Sequence, residues 1–419
     1  MKEWKEIRFK DLLLEMGDGG TPSTLNDNNF GGDIPWAVVD DVKSKIYSTR
    51  NHLTELGYNN CSAKIWEVGT IILTTGATIG KVGIAMVPLC TKQGITGIVC
   101  NEYADNLFIK YWLEANTEQL LRYAQGTTFK EIRTRAIGNL KIKVPYPLTN
   151  ESKSEQAAIA SVLSKVDEAI ATVQNSIDSA ERLKKGLMQN LLTGKMKPDG
   201  TFRTADEFYI DEKIGKVPVG WEVKKGIDIT SKITKGQSPK WQGFDYQDQG
   251  ILFVTSENIQ DGYIDISNPK YLPLEFNAKI RNSQLRKGDV LINIVGASIG
   301  RCAIFDLNVD VANTNQAVCL FRPNDENDSV FLSLYLQDET VRKRLFRTQV
   351  ETARANLSLS DFRKFKFVIP KKQEQIKIAN AIMHYNDEIK NLKAKIDVLS
   401  KLKKSLMQNL LTGKVRIII

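Results

Sequence analysis

The sequence predicts an α+β protein built as an internal repeat: two mixed globular heads joined by two long helices that form an antiparallel coiled coil, with pseudo-two-fold symmetry. Three observations predict this. LKKGLMQNLLTGKM at 183–196 recurs as LKKSLMQNLLTGKV at 402–415, with 12 of 14 positions identical. Upstream of each copy, apolar residues recur at alternating steps of four and three, the seam of a coiled coil. The long segments before these helices also match in order, and they are rich in short β-type runs and glycine turns.

Residues 1–150 form the first head. GGTPST at 19–24 corresponds to GQSPKW at 236–241, and IPWAVVDDV at 34–42 to ILFVTSENI at 251–259, both at an offset of 217. GTIILTTGATIGKVGIA at 69–85 matches GDVLINIVGASIGRCAIF at 288–305 once one residue is inserted, and FIKYWL at 108–113, an apparent helix, matches FLSLYL at 331–336. Residues 221–370 are therefore a second head. Residues 151–196 and 371–419 are helical spacers, and 197–220 is a connector.

The first seam runs through Ile159, Leu163, Val166, Ile170, Val173, Ile177 and Ala180, the second through Ile378, Ile382, Tyr385, Ile389, Leu392, Ile396 and Leu399. Gly194 and Gly413 supply the residue a helix C-terminus favours, with lysines in the turns before them. The first helix leads away from the first head, so the seams pair most simply if the second helix returns towards it. At 1.5 Å per residue the helix predicts a rod of roughly 55 Å with a head at each end. A two-fold protein matches the two-fold axes of duplex DNA, and half-sites one to two turns apart are plausible at ~34 Å per turn.

Composition fits this. At 419 residues the chain is long enough for two or three domains, and 42% hydrophobic with 26% charged residues is globular. It has no signal-type segment and no run of 18 apolar residues, which predicts a cytoplasmic protein without a membrane span. Cys61, Cys90, Cys100, Cys302 and Cys319 include no C-x-x-C pair and are read as reduced and structural. The net charge of +9 lies almost wholly in 371–419, where eleven Lys and Arg face four Asp and Glu. A solvated lysine-rich helix face explains that segment as well as DNA does, so the heads must be judged on local clusters.

Each head has such a cluster after its helix: Arg122, Lys130, Arg133 and Arg135 in the first, and Arg342, Lys343, Arg344, Arg347 and Arg354 in the second. Phosphate oxygens need such cations. Gln93, Thr127 and Thr128, and Asn315, Gln316 and Gln349, are polar neighbours able to reach base edges, where amides pair with adenine. The head openings add Thr21, Ser23, Lys240 and Trp241, and the glycine-flanked loops add Lys81 and Arg301. For any one of these residues alone an ordinary surface role is the stronger reading; their recurrence at matching places favours the sets.

Catalytic patterns are missing from the sequence. GATIGKV at 76–82 has three residues rather than four between its glycines and no Ser or Thr after Lys81, so it reads as a tight strand connection rather than a phosphate loop. His52 and His384 are the only histidines, which leaves no histidine-based metal site or triad. Asp199, Asp211 and Lys213 faintly suggest a nuclease carboxylate pair, but they sit in the connector. The expectation is a chain that binds without catalysing.

The paired GGTPS-type openings, the GATIGK and GASIGR segments, the EQ pairs at 155–156 and 374–375 and the two LMQNLLTGK ends resemble the specificity subunit of type I restriction-modification enzymes over essentially the whole chain. The resemblance implies that each head is a target-recognition domain for one half of a split, asymmetric DNA site, and that the helical regions hold two modification (methyltransferase) subunits. It implies restriction subunits that join to add ATP-dependent translocation and cleavage. It places S-adenosylmethionine, ATP and magnesium on those partners, with no cofactor or metal on this chain. Two alternatives are a stand-alone DNA methyltransferase or nuclease, and a coiled-coil scaffold without DNA binding.

The fourteen-residue repeat carries one more expectation. The helices just upstream, 155–182 against 374–401, match at only 7 of 28 positions, so recent duplication does not explain it. Leu187, Met188, Gln189, Asn190 and Leu191, repeated as Leu406, Met407, Gln408, Asn409 and Leu410, point in successive directions around the helix. They are expected to be two equivalent docking sites for one kind of partner subunit.

Overall fold

The computed structural model describes residues 4–76, 78–125, 130–350 and 356–417, the side chains of 347–350 excepted. Strand and helix runs fall where the apolar patterns put them. Ile71–Thr74 and Asp289–Asn293 are buried throughout, because each is an interior strand with hydrogen-bonded neighbours on both sides. In the first head the sheet order is Leu13–Asp18, Ile95–Cys100, Ile71–Thr74, Val82–Ala85, Lys45–Ile46; in the second it is Thr230–Lys235, Val318–Pro323, Asp289–Asn293, Cys302–Phe305.

A smaller sheet accompanies each. Phe30–Ala37 pairs antiparallel with Asn51–Leu53 and parallel with Cys90–Thr91, and Ile251–Val254 likewise pairs with Tyr271–Leu272 and with Ala312–Thr314. A third pairing closes each head on itself, Trp4–Arg8 with Lys141–Pro145 and Glu222–Lys225 with Lys366–Ile369. The GATIGK and GASIGR loops join antiparallel strands, so neither enters a helix as a phosphate loop would.

The head helices, Asn106–Ala115 and Ser329–Gln337, start alike. Asp105 accepts from Phe108 N and Asp328 from Phe331 N, both at 2.8 Å. Phe108 and Phe331 are fully buried, and truncating either to Ala should cost about 3–5 kcal/mol.

The contacts divide the chain into two units, Met1–Asn175 with Leu392–Ile419 and Ser176–Asn391. The long helices, Asn150–Leu191 and Lys372–Leu410, are each shared between them. Each unit thus holds one head, the start of one long helix and the end of the other. In the first unit the two helix segments run in opposite directions: Lys403 Nζ lies 2.7 Å from Asp167 Oδ1, while Arg416, further along the chain, binds Glu155, earlier in its helix. Of the seam residues, Ile159, Leu163, Val173, Ile177, Ala180, Ile378, Ile382 and Ile389 are buried, and Val166, Ile170, Tyr385, Leu392, Ile396 and Leu399 are half-buried.

The repeated pair Glu-Gln at each helix start ties helix to head. Gln156 Oε1 accepts from Asp105 N (3.0 Å) and Gln375 Oε1 from Asp328 N (2.8 Å), so each glutamine holds the cap of its own head helix. Glu374 accepts from Arg203 (2.8 Å) and from Trp221 Nε1 (3.2 Å). Glu155 in the other unit accepts from Arg416 Nε (3.0 Å) and Trp4 Nε1 (3.3 Å). Arg203 and Arg416 each follow the end of a long helix, so each helix end is fastened to the start of the other helix within its unit. The capping glycines Gly194 and Gly413 have φ of +69° and +72°, and a Cβ on them would meet Pro218 and Trp4 respectively.

The ten expected docking residues divide by burial. Leu191 and Leu410 are 2% and 4% exposed, and with Leu192 and Leu411 they sit in the cores of the second and first units. Leu187, Met188, Leu406 and Met407 are half-buried against the same cores. Leu191 and Leu410 thus fill two equivalent sockets in their own chain, whereas Leu187, Met188, Leu406 and Met407 keep part of their surface outside them and Leu183 and Leu402 are exposed. Gln189 and Gln408 remain exposed, and Asn190 and Asn409 half-exposed.

Candidate nucleic-acid interface

In the first unit, backbone hydrogen bonds gather several loops at one end of the large sheet. Gly19 N donates to Ile95 O (3.0 Å), Gly20 N to Thr91 O (2.9 Å), Thr75 N and Gly76 N to Gly94 O (2.8 and 3.0 Å), and Ile132 N to Thr75 O (2.9 Å). The first glycine of the opening is required by sterics, since a Cβ on Gly19 would lie 2.2 Å from Thr91 O; on Gly236, its counterpart, it would lie 1.7 Å from Thr314 O. Each opening is pressed against the corresponding parallel strand of its own head, Cys90–Thr91 or Ala312–Thr314, by the same absence of a side chain.

The gathered loops bring Thr21 and Gln93 together, Gln93 N donating to Thr21 Oγ1 at 3.4 Å. Beside them a cleft of about 380 Å³ is lined by Thr21, Thr24, Trp36, Arg50, His52 and Lys92. Ser23 is exposed, and its carbonyl accepts from Asn29 Nδ2 at 2.9 Å. Lys81 Nζ donates to Val39 O (3.3 Å) and lies 4.0 Å from Asp40. Arg122, Lys130, Arg133 and Arg135 are exposed, whereas Thr127 and Thr128 lie outside the described residues. Gln125 and Glu131 exchange two 2.9 Å backbone bonds that pin the base of that segment beside Gly76.

Asp18 belongs to this loop cluster and was not singled out from sequence. Burial raises its carboxyl above the ordinary range, with Glu131 adding repulsion against the backbone N–H groups that lower it. Its Oδ1 is buried with no partner among the described atoms. Arg50 and Lys92 were also not foreseen. Lys92 had a signal, adjacency to Gln93, but Arg50 reaches the cleft only through tertiary folding.

The second unit offers Lys240, Trp241 and Gln316, all exposed, at the corresponding loops. Asn315 is a turn former, its Oδ1 accepting from Ala317 N (3.1 Å), while its carbonyl receives Gly236 N (3.0 Å). Arg301 donates to Gln260 at 2.9 Å.

In the cluster after the second head helix, two arginines have partners within the chain. Arg342 forks onto Asp261 and also donates to Leu336 O (3.1 Å). Arg344 donates to Lys366 O and stacks 5.0 Å over Phe365. Both guanidinium groups bond within the chain, because Val341 and Leu345 seat this helix on the core and draw their neighbours inward. Lys343 is exposed, with an i,i+4 partner in Glu339. The side chains of Arg347 and Gln349, and Arg354 altogether, lie outside the described residues.

The connector carboxylates do local work. Asp199 accepts from Thr201 and Asp211 from Lys213 N and Ile214 N, which lowers both carboxyls below the usual range. Among the described residues no group of three His, Cys, Asp or Glu is placed to hold a metal ion, and no helix is long and apolar enough to cross a membrane.

Comparison with known proteins gives a consistent set of matches. The family model described as the type I restriction modification DNA specificity domain matches twice, at residues 1–182 and 218–401. The type I restriction enzyme MjaIX specificity subunit of Methanocaldococcus jannaschii is 27% identical over 428 residues, covering 99% of this chain and 94% of that one. The EcoBI specificity subunit of Escherichia coli is 26% identical over 266 residues, covering 61% and 54%. Among solved structures, the type I S subunit from M. genitalium superposes with a TM-score of 0.57 at 17% identity, over 97% of this chain and 96% of that one. A chain from a structure of type I R-M complex assembly gives 0.60 at 17%, over 98% of each.

Proposed function

The chain belongs to the type I restriction-modification DNA specificity family, and from that premise we propose that it is the sequence-specific DNA-binding subunit of such a complex. One observation carries the reading. Two heads that share a four-strand order, to which the first adds Lys45–Ile46 at the edge, are held by matching Glu-Arg-Trp clasps, yet present unlike loops, GGTPSTLNDNN against GQSPKWQGFDY, at the corresponding place. A scaffold that met one partner twice would keep those loops alike; two heads that read different bases would not.

In this reading the exposed cations, among them Lys92, Arg122, Lys130, Arg133 and Lys240, neutralise phosphates, and Thr21, Gln93 and Gln316 lie where base edges are read. Lys81 and Arg301, already hydrogen-bonded, would serve at the margin. The polar remainder of the two helix ends, Gln189 with Asn190 and Gln408 with Asn409, would meet two copies of a modification subunit, to which restriction subunits add. S-adenosylmethionine, ATP and magnesium would be bound by those partners and not by this chain, which supplies specificity and no catalysis.

Exchanging one head, residues 1–150 or 221–370, for that of another family member tests this. The expected result is a change in one half-site of the preferred DNA with the other retained. A change in both half-sites, or in neither, contradicts it.

A further inference from the structure

Among the described residues, the two most exposed large apolar side chains are Leu25, at 96%, and Trp241, at 81%. They fall one in each unit, in corresponding loops, one position apart in the repeat. Exposed apolar residues are ordinary singly, but both of these stand on loops braced from beneath.

In the first unit Asn29, 1% exposed, donates from Nδ2 to Ser23 O (2.9 Å) and accepts from Asn60 Nδ2 (3.2 Å), while Asn28 N donates to Asn26 Oδ1 (3.2 Å). Leu25 is held out between these anchors. In the second unit Gln242 N and Phe244 N both donate to Pro239 O (2.8 and 3.1 Å), and Lys279 Nζ donates to Gln242 O (3.0 Å). Phe244 is packed edge-on against Phe276, with ring centres 5.4 Å apart, so the turn that carries Trp241 rests on the core. Neither side chain is a loose tip. Hydrogen bonds fix the backbone beside each, and the side chain itself stands in water.

We propose that Leu25 and Trp241 are apolar wedges that enter the DNA base stack, one in each half-site. This deepens the DNA-reading function above and rests on it. Three features favour DNA over a protein surface. The loops begin at the glycines that fix the candidate interface. Cations stand by: Lys92 lines the cleft that Thr24 also lines, together with Arg50, which lies 3.6 Å from Asp40 and 3.9 Å from Asp41, and Lys240 adjoins Trp241. The two side chains differ in kind, whereas a surface for one repeated protein partner would keep them alike. A large apolar group pushed between base pairs unstacks a step and kinks the duplex. The surrounding cations then hold the bent backbone.

The test uses the full chain and a duplex it selects from a randomised library, moved through circularly permuted fragments in a gel-mobility bend assay. The wild type should bend the duplex at two centres, one in each half-site, by about 20° or more at each. Leu25→Ala should abolish one centre and Trp241→Ala the other, while Trp241→Phe keeps both. At 96% and 81% exposure neither truncation removes a core contact, so loss of a bend is not loss of fold. A wild type that enriches a defined duplex but leaves it straight, or alanine variants that bend it fully, overturn the wedges and leave the DNA-reading function standing. Variants that bend DNA normally but no longer bind a modification subunit overturn them in favour of a protein contact. A library that enriches nothing overturns the wedges and the proposed function together.

Discussion

Arg203→Met tests how the helix ends are seated. Arg203 is 7% exposed and donates to Glu374 (2.8 Å), to Gly194 O (2.8 Å) and to Met196 O (3.3 Å), with its guanidinium 5.6 Å from the Trp221 ring. Methionine keeps most of the apolar stem, so the change removes chiefly the charge and the donors. The bond to Glu374 contributes about 1.5–3 kcal/mol as a charge-assisted pair, and leaving the Gly194 carbonyl without its donor costs about 1–3 kcal/mol. These overlap, and Glu374 is partly solvated, so the sum is set at about 2–4 kcal/mol for opening the socket, below the full range for a buried pair. Hydrogen exchange of the full chain, read on peptides spanning 187–196 and 372–382, measures this locally. At about 1.4 kcal/mol per tenfold, exchange there should quicken roughly 30- to 700-fold. Peptides at 406–413, in the other unit's socket, should be unchanged. Acceleration below about threefold, or equal acceleration in both sockets, would refute the claim that Arg203 fastens this helix end.

Three further outcomes are expected. Gly19→Ala and Gly236→Ala each drive a Cβ onto a strand carbonyl, so each should destabilise its own unit by about 1–3 kcal/mol in thermal melts, and a neutral effect would show the contact to be soft. Lys92→Ala should lower the salt slope of DNA binding by about 0.9 and weaken binding uniformly across sequences; a change of sequence preference would show a base contact instead. Burial pushes the thiols of Cys90 and Cys302 up to about 12 and that of Cys319 higher still, so the reactive thiolate is scarce below that pH. Half-exposed Cys61 should be alkylated first at pH 8, and labelling of Cys302 before unfolding would contradict its burial.

The duplication, the strand runs and the helix seams were legible in the sequence because each repeats a local period or a local order. Ile159, Leu163, Ile378 and Ile382 announce their burial by spacing alone. Partnerships were not legible. Glu374 and Arg203 lie 171 residues apart and Arg342 and Asp261 81 apart, and nothing local distinguishes an arginine that folds inward from one left for phosphate. For the same reason burial within the repeated LMQNLL is not legible: identity between copies marks an equal environment, and in the structure the two final leucines of each copy enter the chain's own core while the glutamine stays exposed. The candidate interface was legible at Thr21 and Gln93, which two matched loops carry, and illegible at Arg50 and Asp18, which only the folded loops bring near.

The most direct measurement of the central claim is the DNA preference of the full chain together with the proposed modification subunits, read at single-base resolution by selection from a randomised duplex library. Two unlike conserved blocks at a fixed spacing, separated by positions with no preference, are the result predicted for two heads that read separately. One continuous block, two identical blocks, or no preference at all would contradict it.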